Sequence, residues 1–137
     1  MQDHQFQLAL DVRDYECDMI GIVNHAVYVH YLEHARHAFL KQQGVDFADL
    51  TARGIYLVAI RVELDYLHPL RSGDRFVVGV SIERVSRLRF CFVQSIHRLP
   101  DHKPIVRAKV FGTAINQQGR PALPAELEQV IAARLGE

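Results

Sequence analysis

The stretch Asp18-Met19-Ile20-Gly21-Ile22-Val23-Asn24-His25-Ala26-Val27-Tyr28 gathers the groups with most chemistry to offer. A carboxylate, Asp18, precedes a turn marked by Gly21, and the turn runs into a segment of helical periodicity. Asn24 suits the N-cap of that helix, because its side-chain oxygen can accept from an otherwise unpaired backbone N–H. The first N–H groups of a helix have no internal partners and lie at the positive end of its dipole. Such donors stabilise an oxyanion. A carboxylate beside them is a minimal set for acyl transfer: it can attack a thioester carbonyl or draw a proton from water.

Other residues compete for these roles. An Asp near a helix start also serves as a simple cap. Glu16 is a second carboxylate, two residues earlier and less well placed for the helix end. His25 could act through its ring as a general base. Tyr28 falls on the apolar side of the helix, where it packs in the core and can line an acyl pocket. Cys17 adjoins Asp18, but neighbours in an extended segment point to opposite sides. Cys17 and Cys91 are therefore read as packed, inert thiols. His30, His34 and His37 share one helical face with Glu33, a spacing that can bind zinc. That face is polar and lacks a supporting shell, so it reads as solvated or as a subunit contact. No metal and no other cofactor is expected.

The elements that must position these groups follow from hydrophobic periodicity. Residues 6–12 alternate weakly and suit a first strand. From 26 to 43 the apolar Tyr28, Leu32, Ala35 and Phe39 recur at helical spacing, and Gly44 is a stop signal. Val58, Ile60, Val62, Leu64 and Tyr66 then alternate with Ala59, Arg61, Glu63 and Asp65, the pattern of a half-buried strand. Phe76, Val78, Val80 and Ile82 alternate again, as do Leu88, Phe90 and Phe92, and Val106, Ala108, Val110 and Ala114. Ser72-Gly73-Asp74, 99–104 and 118–121 read as turns, and a short helix closes the chain over 124–135. One strand, a long helix and four strands on short loops predict an α+β fold: a curved antiparallel sheet around a central helix. A sheet with one layer of helix leaves an edge and an outer face needing cover, which predicts association.

The 137 residues suit one domain, 1–137, and the formal charge balances to zero. A nucleic-acid binder normally carries a basic surplus, so that class is excluded as an expectation. Two cysteines make no disulfide framework. The amino terminus from Met1 shows no signal peptide, and no apolar run is long enough to span a bilayer. A reduced, cytoplasmic protein is the expectation. Basic residues are concentrated locally: Arg84, Arg87, Arg89, Arg98, Lys103, Arg107 and Lys109 stand against Asp101. Such a surface can hold the phosphates of coenzyme A or dock an acidic carrier protein. Arg87 and Arg89, beside a hairpin after Ser86, are the preferred phosphate contacts.

The pattern Asp-x-x-Gly-x-Val-x-x-x-x-Tyr from Asp18 to Tyr28 resembles the 4-hydroxybenzoyl-CoA thioesterase family of hotdog proteins. The segment Leu64 to Asp74 is similar to that family's strand and turn, and the resemblance covers most of the chain. It implies a hotdog fold, a nucleophile or general base at Asp18, and a His25 backbone N–H that polarises the thioester carbonyl. The runs 12–16, 23–28 and 69–74 are more similar still to the plant acyl-lipid thioesterases, which act on acyl-carrier-protein thioesters. Asn24 stands where an aromatic residue is common in the aryl-CoA enzymes, which points to a fatty or β-ketoacyl group. The resemblance also implies homodimers or dimers of dimers with sites at the subunit interface. The expected activity is hydrolysis of an acyl thioester, on coenzyme A or a carrier protein, with Asp18, His25 and Asn24 at the reaction and Gly21, Tyr28, Arg87 and Arg89 at the substrate. A hotdog dehydratase and a non-catalytic acyl-binding domain are the competing readings.

Overall fold

The structure, a computed structural model, describes residues 4–135. Met1 to Asp3 and Gly136 to Glu137, read above as parts of the termini, lie outside the described residues. The strands are β1 (Phe6–Asp11), β2 (Tyr56–Tyr66), β3 (Arg75–Ser86), β4 (Arg89–Leu99) and β5 (Lys103–Ile115). The helices are α1 (His25–Gln42), α2 (Phe47–Ala52) and α3 (Ala125–Leu135). The five strands form one sheet in the order β1-β3-β4-β5-β2, and every pairing is antiparallel. This is the α+β hotdog arrangement.

Alternation decides which face each strand buries. Phe76, Val78, Val80 and Ile82 of β3 are fully buried under α1 and α3, together with Phe90, Phe92 and Ile96 of β4. The helix contributes Tyr28, Leu32, Ala35 and Phe39 to the same core. Their spacing makes one apolar stripe, and burying it fixes the helix across the sheet. Asn24 caps α1 by accepting from Ala26 N at 3.0 Å. Beyond the helix, Gly44 supplies the positive φ (+88°) at which the chain turns away.

Two features depart from the sequence reading. A short helix, α2, follows α1, with Asp46 as its N-cap accepting from Ala48 N and Asp49 N. β2 is a mostly exposed edge strand rather than a half-buried one. Its register shifts between Ala59 and Arg61, so the alternation from Val58 to Tyr66 is broken by one bulged residue. Packing explains the exposure: α1 lies against β3 and β1, leaving the β2 side of the concave face uncovered. Among the described residues no helix is long and apolar enough to cross a membrane.

Candidate active site

The loop between Glu16 and Asn24 is cross-braced at every step. Asp18 N donates to Ile22 O at 2.9 Å and Gly21 N returns to Asp18 O at 3.0 Å. Cys17 bridges Val23, and Asn24 N donates to Glu16 O at 2.9 Å. Gly21 adopts φ +84°, a conformation that costs any other L-residue about 1–2 kcal/mol. The loop is then held from outside. Val23 N donates to Leu70 O at 2.9 Å, and Ile22 bridges Arg71. Leu70 N donates to the Tyr28 hydroxyl at 2.9 Å. The Pro69–Asp74 turn is thus the plate against which the Asp18 loop and the first turn of α1 are fixed.

Within this frame Asp18 Oδ1 accepts from Ile20 N at 2.9 Å, which sets the carboxylate's orientation. Asp18, Ile22, Val23, His25 and Tyr28 line a cavity of about 380 Å³, closed on its other side by Tyr66, Leu67, His68 and Pro69. At the head of α1, Ala26 N is taken by the Asn24 side chain and Val27 N by the Asn24 carbonyl. The His25 N–H donates to no acceptor among the described residues. A free donor at the helix start therefore belongs to a residue of the same cavity as Asp18. Such an N–H, at the positive end of the helix dipole, suits a developing oxyanion.

The competing groups are committed elsewhere. Glu16 accepts from Arg13 N at 2.8 Å and from the Tyr31 hydroxyl at 2.7 Å, and pairs with the Arg13 guanidinium at 3.2 Å. Burial, then the bond to Glu16, raises the Tyr31 pKa well above its ordinary value. Burial also raises that of Tyr28, whose hydroxyl is engaged with Leu70. Cys91 is buried and its thiol is pushed up to about 11, mainly by that burial. His37 packs its ring on Phe47 at 4.8 Å. Among the described residues no three His, Cys, Asp or Glu side chains come together as a metal site.

The structure brings Asp18, His25 and Tyr28 to one cavity, with Gly21 in its turn and Asn24 as the adjoining cap. It does not bring Arg87 and Arg89 there. They line a separate surface cavity of about 510 Å³ at the β3–β4 hairpin, with Ile60 and Thr113. β3 starts beside the Pro69–Asp74 turn and ends at that hairpin, a span of roughly 35 Å at the usual strand rise. Within one chain the two arginines are at the opposite end of the sheet from Asp18.

Two residues of the cavity escaped the sequence reading. The Tyr66 hydroxyl donates to the His25 carbonyl at 2.8 Å. His68 Nδ1 donates to the Pro104 carbonyl at 2.9 Å, which sets the orientation of the ring. Both lie in the 64–74 segment singled out for its motif, but only the placing of β2 beside β5 shows that its end meets the head of α1.

The fold and the braced loop define a protein of the hotdog class. The chain belongs to the Thioesterase-like superfamily, whose family model matches residues 12–135. It is 39% identical over 115 residues, 84% of its length, to the chloroplastic acyl-acyl carrier protein thioesterase ATL3 of Arabidopsis thaliana. It is 42% identical over 109 residues, 80% of its length, to the corresponding ATL2 of the same plant. The chain spans 60% and 57% of the lengths of these two relatives. Among solved structures, a 1,4-dihydroxy-2-naphthoyl-CoA thioesterase from Synechocystis shares the fold, with a TM-score of 0.88, 22% identity, and coverage of 93% of this chain and 95% of that one.

Proposed function

We propose that the chain hydrolyses an acyl thioester to a carboxylic acid and a thiol. The observation that carries this reading is the sharing of one cavity by the Asp18 carboxylate and His25, whose backbone N–H is unused. The thioester oxygen takes that N–H, and charge developing on it is stabilised by the helix dipole. Asp18 either attacks the carbonyl carbon or takes the proton of an attacking water. Asn24 acts by capping and holding the helix start, while Tyr28 and Gly21 shape the wall and the turn. Family membership and the similarity to the plant acyl-acyl carrier protein thioesterases support an acyl group of fatty type, carried by a carrier protein or coenzyme A.

The proposal includes a homodimer, itself able to pair again. β2 is an unpaired edge whose Tyr56, Ile60, Val62 and Tyr66 are all exposed, and an edge of this kind is a template for a second strand. Antiparallel pairing of two β2 strands about their midpoint sets the hairpin end of one copy beside the Asp18 end of the other. Arg87 and Arg89 then serve the partner's site, binding the phosphates of the thiol carrier.

A panel of acyl-CoA and acyl-carrier thioesters assayed for free thiol tests the reading. Asp18→Asn preserves shape and removes basicity, and turnover should fall about 10²–10⁴-fold. Wild-type turnover in that variant rejects the mechanism, and ligand retention without thiol release favours an acyl-binding domain.

A further inference from the structure

A second cavity, about 110 Å³, opens between α1 and β2, lined among others by Arg36, Leu40, Phe47, Leu57, Phe90 and Phe92. Its position relative to Asp18 follows from register. His25, Val29, Glu33, Arg36 and Leu40 recur every three or four residues and form one stripe along α1. Tyr66, Leu64, Val62 and Leu57 pair with Val106, Ala108, Val110 and Ala114, the buried face of β5, and so point to the helix side of the sheet. The Tyr66–His25 bond joins stripe and strand at one end, and Leu40 and Leu57 meet in the cavity at the other. Val29 and Val62, both exposed apolar residues, lie between. Along α1, His25 and Arg36 are ~16 Å apart at the α-helical rise, the reach of about a dozen extended acyl carbons.

The far end is lined by Arg36 with the exposed Glu33 and His37 at its rim and by apolar side chains elsewhere. Gln94 is completely buried, and its amide nitrogen donates to Leu32 O at 3.0 Å, so its oxygen is turned to Arg36, which donates to it at 3.2 Å. The Arg36 guanidinium also stands 5.8 Å from the Phe92 ring. A guanidinium has five N–H donors, and Gln94 is its sole hydrogen-bond acceptor among the described residues, where it makes no ion pair. Burial draws its pKa below the ordinary arginine value, with Glu33 pulling the other way. The guanidinium is half-buried, and the N–H groups that Gln94 leaves unused can make a charge-assisted bond to an acceptor supplied by a ligand.

We infer that this cavity receives the far end of the acyl chain and that Arg36 binds an oxygen carried there, so that the substrate class is a medium-chain acyl thioester bearing a terminal carboxylate or hydroxyl. The inference rests on the thioester reading above and deepens it. A site built to hydrogen-bond a substrate oxygen discriminates strongly against the chain that lacks it.

The test compares coenzyme A thioesters of dodecanoate, ω-hydroxydodecanoate and dodecanedioate, with wild-type protein, Arg36→Met and Arg36→Lys. The oxygenated chains should exceed the plain chain in kcat/KM by about tenfold or more. Arg36→Met should erase that margin while leaving the plain chain within about threefold, and Arg36→Lys should keep part of the preference for the carboxylate. Equal wild-type rates for the three chains overturn the inference. So does an equal loss on all three in Arg36→Met, or a change in its sedimentation, which would mean that a second copy covers Arg36. Calorimetric binding of free dodecanedioate against dodecanoate separates this inference from the reading beneath it. Tighter dodecanedioate binding that is lost in Arg36→Met upholds the Arg36 site even if no thioester turns over. Equal binding of the two acids removes it.

Discussion

The Tyr66 hydroxyl donates to the His25 carbonyl at 2.8 Å, tying the end of edge strand β2 to the first turn of α1. The bond is exposed, yet it joins the two walls of the cavity that holds Asp18. Tyr66→Phe removes it while keeping the ring's edge contact with Tyr28, at 5.6 Å between centroids. Stability should change by less than about 1 kcal/mol, as for an exposed hydrogen bond. Turnover should fall by about tenfold if the bond holds the His25 N–H in line, since ~1.4 kcal/mol of barrier is a factor of ten. Thermal unfolding beside thiol-release kinetics reads both quantities, and an unchanged kcat would leave the tie structural.

Gly21 and Gly44 form a matched pair. Both have positive φ, +84° and +88°, and open space where a Cβ would stand. Alanine should cost about 1–2 kcal/mol at either position, because the strain lies in the backbone alone. Only Gly21 lies in the turn that carries Asp18. Gly21→Ala should therefore lower kcat and Gly44→Ala should not, at equal loss in urea unfolding. A matched loss of kcat in both would mean that global stability, not the turn, limits activity.

The thiols separate by environment. Cys91 is buried and its pKa is raised to about 11, so near pH 8 it remains a neutral thiol. Cys17 is half-buried at the loop. A maleimide titration of the native protein should label Cys17 first, and Cys91 should react only after denaturation. Early labelling of Cys91 would indicate that β4 opens under native conditions.

Local signals carried the reading of the loop and the central helix. Asn24 and Gly44 mark their helix ends by cap chemistry, and Phe76, Val78, Val80 and Ile82 mark one buried face by their alternation. What escaped was decided across the sheet. Val58, Ile60 and Val62 alternate in sequence as a half-buried strand does, but β2 falls at an edge that α1 does not cover. Arg87 and Arg89 are basic and near a turn, as a phosphate site requires. That their turn is at the far end from Asp18 depends on strand direction. Nothing in the sequence pattern singles out Arg36, and only the buried Gln94 of β4 shows that it turns inward.

Glu16 and Tyr31 give a prediction that runs with pH. The Tyr31 hydroxyl donates to Glu16 at 2.7 Å, and burial and that carboxylate hold its pKa above the value of about 10 in an unfolded chain. The folded state keeps the phenolic proton more tightly than the unfolded state. The resulting stability is fully present below about pH 10 and is lost as pH rises toward the folded value. Tyr28, raised in the same direction by burial, adds to the slope. Tyr31→Phe removes one of the two titrations and also strips Glu16 of a donor. It should be less stable near pH 7 by about 1 kcal/mol, the net worth of one hydrogen bond to a half-buried carboxylate that keeps its Arg13 donors. Its stability should then decline less steeply than wild type between about pH 9 and pH 11. Urea unfolding across that interval measures both slopes. Parallel curves would mean that the proton on Tyr31 is not what the Glu16 bond protects.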